Sequence, residues 1–183
     1  AFLATAELCE DAHDVLSHDK EFNISTECRP GDPDTYVGFN FSHNAGPYAN
    51  LSQIGGWCID VDRQILCNES FLVDSYSSYD NADDIPTGAV DKTDNLDLVN
   101  WLINNHPIES YVNITDCYAG ILGYEEYQEA VWTIVDDTAA ADLGAQDCIV
   151  NWLVAQAETY GNGFQVSCDN TEKVGVVLVI DDE

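Results

Sequence analysis

The chain changes rhythm near its middle, from strand-like alternation to helical spacing. Three segments of the second half repeat apolar residues every three to four positions. Leu96, Val99, Leu102 and Ile103 share one face over 94–105, a helix that Pro107 ends. Tyr127, Val131, Ile134 and Val135 define a second helix over 124–137, with Glu125 and Glu126 in its positively polarised first turn. Val150, Leu153, Val154 and Ala157 define a third from Asp147, read as the N-cap, to the Gly161 stop. Residues 174–180 are continuously apolar, the pattern of a strand covered on both faces.

The first half reads differently. Residues 36–41 alternate aromatic and small side chains, and 57–61, 65–67 and 71–73 are short strand candidates between Gly and Pro breaks. Residues 29–34 read as a turn and 74–93 as a surface loop, while 5–19 has the looser spacing of a short acidic helix. No repeat or linker interrupts the chain. The pattern predicts one α+β domain over 1–183: a strand-rich half over 1–93 forming a sheet or small barrel, then a half over 94–183 with about three helices and a terminal strand.

Composition narrows the function. Apolar residues make up 45% of the 183, enough for a core despite 34 Asp+Glu against 5 Lys+Arg. A net charge of −29 excludes binding to nucleic acid and to anionic membrane surfaces, both of which need basic residues. No apolar run is long enough to span a bilayer. Metal-ion chemistry, a secreted or salt-adapted surface protein, and an enzyme of a neutral or cationic substrate remain. The start at Ala1 and the lack of Met are expected of a processed N-terminus.

Two counts predict an extracellular location. Five N-glycosylation sequons occur, at Asn23, Asn40, Asn50, Asn68 and Asn113, where fourteen Asn and twenty Ser+Thr would give about 1.5 by chance. All precede residue 116, so one side is expected to carry sugar and another to be kept for contacts. The seven cysteines show no CxxC and no zinc-like spacing with His13, His18, His43 or His106. In a secreted chain such scattered cysteines, Cys9, Cys28, Cys67, Cys117, Cys148 and Cys168 among them, are disulfide candidates. Because seven is odd, at least one sulfur is free, paired with another molecule or chemically special.

Other constellations carry less. GxSxG, HExxH, P-loop and GxGxxG patterns do not occur. Asp60 and Asp62 begin like a calcium loop without its glycine and closing glutamate, and Asp80, Asp83 and Asp84 crowd a loop. These are weak calcium candidates against a solvated acidic face. No other cofactor is expected.

Gly56-Trp57-Cys58-Ile59-Asp60, together with Tyr127-Gln128-Glu129-Ala130-Val131-Trp132, resembles the two signature segments of bacterial surface thioester domains. The resemblance extends through Asn95–Trp101 and Gly161–Phe164 to the terminal strand, over roughly residues 56–180, where the chain is also similar to uncharacterised secreted proteins. It implies an internal Cys58–Gln128 thioester, formed with loss of ammonia, shielded by aromatic side chains and opened once by a primary amine. The residues themselves leave a second reading: Cys58 and Cys67 flank a hairpin-like turn where they would pair as a disulfide, with Gln128 facing solvent.

Three function classes follow. One is a secreted, glycosylated, non-enzymatic adhesive or structural module, with or without the thioester, whose partners are surface proteins or glycans. The alternative is a self-assembling subunit of an extracellular filament or coat, adding neighbours along an open edge at Val174–Ile180. A secreted hydrolase ranks last, because no base or nucleophile is positioned for it.

Overall fold

The computed structural model describes residues 2–6, 20–29, 32–41, 54–60, 68–79, 83–136, 143–167 and 172–180. Strands β1 (Phe2–Ala6), β2 (Lys20–Arg29), β3 (Asp32–Phe41), β4 (Ile54–Cys58) and β5 (Ser70–Ser77) precede helix α1 (Leu96–Asn105). A hairpin, β6 (Tyr111–Ile114) and β7 (Tyr118–Ile121), follows; then come α2 (Tyr124–Val135), α3 (Asp147–Tyr160) and β8 (Val174–Ile180). The fold is α+β.

Six strands close an antiparallel barrel in the order β1-β4-β3-β2-β5-β8. Period-two alternation fills it: Ile24, Val37, Phe39, Cys58, Val73, Val174, Val176 and Leu178 form one buried cluster, which Trp132 of α2 joins. Alternate residues of the same strands, among them Leu3, Trp57, Tyr76 and Val177, pack with the three helices in a second cluster. β8 is therefore buried on both faces, as its unbroken apolar run predicts.

Strand β8 is also paired along both edges, with β1 (Phe2↔Leu178) and with β5 (Val73↔Ile180). The open edge expected at Val174–Ile180 does not exist, because barrel closure uses both rows of its main-chain groups. Two amides on adjacent turns fasten α1 to this strand. Asn100 accepts from Gly175 N at 2.8 Å and donates to Ser78 Oγ at 2.8 Å, and Asn104 exchanges two bonds with the Lys173 main chain.

Helix boundaries lie within two residues of their spacing, but Asp147 is not the cap of α3. Gln146 holds the N-cap position and Asp147 lies in the first turn, near the positive end of the helix. Gly161 follows that helix with φ −89°, so it is not there for a left-handed turn. It is there for space: a Cβ would stand 2.7 Å from Ala157 O and 2.9 Å from Leu98 Cα. Lys92 satisfies carbonyls at the C-terminus of α2, donating from Nζ to Asp136 O and from its main chain to Val135 O.

Four differences from the sequence pattern stand out. Strand β5 runs to Ser77, into the expected loop, because Ser75 and Ser77 continue its buried alternation. Strand β4 begins at Ile54 and stops at Cys58, short of the expected Val61. The barrel also uses β1 and most of β2, which lack strong alternation, and the β6–β7 hairpin was not anticipated. Residues 7–19 and 61–67, expected as a helix and the rest of a strand pair, lie outside the described residues.

Candidate covalent site at Cys58 and Gln128

Strand β3 pairs with β4 only as far as Val37↔Gly56. Two residues on, Cys58 lies opposite Phe2 of β1. In an antiparallel strand the N–H and C=O of one residue point the same way. Both main-chain groups of Cys58 meet Gln128. Cys58 N donates to Gln128 Oε1 at 3.1 Å, and Gln128 Nε2 donates to Cys58 O at 2.6 Å. Helix α2 thus supplies a side-chain amide beyond the point where β3 leaves off.

Gln128 is fully buried, which corrects the reading that places it in solvent. The helix presents Gln128 and Trp132 at i and i+4, one turn apart on one face. Trp132 enters the barrel cluster that contains Cys58, while Tyr127 stacks on Trp57 with ring centroids 4.9 Å apart. The Tyr127 hydroxyl and the Trp132 indole N–H are buried with no hydrogen-bond partner among the described residues. Such atoms cost about 1–3 kcal/mol each, the kind of local concession found at functional sites.

Cys58 carries a thiol and is not half of a disulfide. The hairpin pairing with Cys67 is therefore not present; Cys67 itself lies outside the described residues. The thiol lies within 3.0 Å of Asp60 O, to which it donates. Burial pushes its pKa up, and the charges of Asp60 and Asp136 add to that, against the lowering effect of the Asp60 hydrogen bond. The neutral thiol is thus favoured. Burial likewise holds the Tyr127 phenol well above its ordinary range.

The arrangement has a direction. The Cys58 N–H points at the Gln128 carbonyl oxygen, where charge would develop if a nucleophile added to Cδ. The Cys58 carbonyl holds the Nε2 that would leave. Tyr127 was legible only as part of the helix's apolar face, and the Asp60 carbonyl left no sequence signal, since any residue would supply one.

The remaining candidates are scattered. Cys117 and Cys148 form a disulfide joining the β6–β7 turn to the start of α3. Cys9 and Cys168 lie outside the described residues, and Cys28 is placed only as a strand position. Asn68 and Asn113 are exposed, Asn40 is half-buried, Asn23 is a β2 position, and Asn50 lies outside the described residues. Asp83 and Asp84 are exposed and Asp60 is half-buried, while Asp62 and Asp80 are not described. Among the described residues no group of three or more His, Cys, Asp or Glu could hold a metal ion. No described helix is long and apolar enough to cross a membrane. No family model, no curated protein and no solved structure matches the chain.

Proposed function

We propose that this chain is a secreted, N-glycosylated, non-enzymatic adhesive module that attaches covalently through an internal thioester between Cys58 and Gln128. The observation that supports it is the two-bond grip of the buried Gln128 amide on the main chain of Cys58, a residue that is itself buried. Attack of Sγ on Cδ would form the S–C bond. Loss of Nε2 with the thiol proton would release one ammonia. A primary amine of a partner surface then adds to Cδ, the S–C bond breaks, and the departing sulfur takes a proton from the amine. Gln128 ends as a substituted amide and Cys58 as a thiol.

The event happens once per molecule, which suits an anchor and not a turnover catalyst. Burial of both groups and the aromatic cover of Trp57, Tyr127 and Trp132 would slow hydrolysis by excluding water. The Cys117–Cys148 disulfide is in keeping with an oxidising compartment.

Intact-mass measurement of the deglycosylated chain tests the reading. The expected mass is one ammonia short, and methylamine should add covalently at Gln128. A peptide holding an intact Cys58–Cys67 disulfide, or a full mass inert to methylamine, would overturn it.

A further inference from the structure

Three large apolar side chains stand exposed among the described residues: Tyr111 at 66%, Ile121 at 53% and Tyr160 at 61%. Tyr160 is stacked on Trp101. The other two face each other directly, as the first cross-strand pair of the β6–β7 hairpin. Alternation explains their position. Val112 is buried, so Tyr111 and Asn113 share the outward face, and Asn113 is exposed too. Opposite Asn113 stands Ala119, whose single methyl leaves the space above the strand open.

Asn113 opens the sequon Asn113-Ile114-Thr115. Residues i and i+2 of a strand are about 7 Å apart on one face, within reach of a sugar ring joined to the asparagine amide. Thr115 is exposed where the chain reverses, with Cys117 N bonded to Ile114 O and Asp116 at φ 60°. Both residues that a glycosylating enzyme must read are therefore accessible. Among the four sequons whose asparagine is described, Asn113 alone has an aromatic residue two positions before it; Asn23 has Glu21, Asn40 has Gly38 and Asn68 has Leu66.

We propose that Asn113 carries an N-linked glycan whose first N-acetylglucosamine lies against the Tyr111 ring and beside Ile121. The sugar is then a structural cover for the hairpin's apolar pair. The flat ring offers an apolar face to the C–H side of the sugar, and Ile121 borders the same surface. The proposal rests on the reading of the chain as a secreted glycoprotein, and not on the thioester.

The test uses the full chain secreted from cells that perform N-glycosylation. Peptide mass spectrometry reads occupancy at each sequon, and thermal unfolding compares glycoforms. Trimming to one N-acetylglucosamine should leave Tm within about 1 °C, since one sugar makes the contact, while N113Q should lower it by about 2–4 °C. In a Y111A chain the N113Q loss should fall to less than half, whereas Y111F, which keeps the ring, should preserve it. Equal N113Q effects in the Tyr111 and Y111A chains would overturn the packing. An empty Asn113 with other sequons occupied would overturn this proposal and leave the glycoprotein reading standing. Empty sequons throughout would overturn both.

Discussion

Replacing Cys58 by alanine separates a cross-linked site from one that is merely hydrogen-bonded. Cys58 and Gln128 are 70 residues apart. If only hydrogen bonds join them, Cys58→Ala removes one buried sulfur and its bond to Asp60 O, while the main-chain bonds to Gln128 survive. That loss is about 1–2 kcal/mol. If a thioester joins them, the substitution also releases a loop of that length, whose closure entropy is worth about 4 kcal/mol. For a chain of this size the two cases correspond to falls in Tm of about 2–8 °C and about 10–24 °C. Thermal unfolding followed by tryptophan fluorescence reads the difference. Methylamine-treated wild type should unfold near Cys58→Ala, because the amine opens the same loop. A wild type within a few degrees of the variant, and unmoved by methylamine, would refute the cross-link.

Three further outcomes follow from the packing. Replacing Cys117 and Cys148 by serine opens the disulfide loop between residues 31 apart and should cost about 3–4 kcal/mol, read from urea midpoints of the oxidised wild type and the double variant. Gly161→Ala drives a methyl against Ala157 O and Leu98 Cα and should cost about 1–3 kcal/mol in the same assay. His106 packs between Trp101 and Trp152, and burial lowers its pKa. Its neutral form favours the fold, so this contribution is complete above pH 6.5 and is lost as pH falls through 6.5 toward the lower folded value. His106→Phe should flatten Tm against pH in that window; an unchanged slope would assign the effect elsewhere.

The helices were legible because their cores are written locally. Val99, Leu102 and Ile103, or Tyr127, Val131 and Ile134, mark a buried face within a dozen residues. The barrel was not, because its closure depends on pairs such as Phe2↔Leu178 that no local window contains. Strand β8 shows both sides of this limit. Its apolar run announces burial on two faces, yet nothing in it tells a paired edge from an open one. The site was half legible. The Cys58 and Gln128 segments stood out by their flanking aromatics, but the grip between them depends on where β3 stops pairing with β4, a property of three elements together. The hairpin was missed because four-residue strands give too little alternation to stand apart from a loop.

Because β8 closes the barrel between β1 and β5, the order of synthesis bears on the chemistry. The ribosome makes β1 to β5 and all three helices before it makes the strand that completes their sheet. Until then the buried cluster that includes Cys58 lacks Val174, Val176 and Leu178. Pairings between the first and last strands are non-local and close slowly. Cys58 and Gln128 therefore reach their final surroundings only after Val174–Ile180 has been made and has paired. A reactive bond made at that stage would not be exposed to the amines of the cell before the barrel has closed.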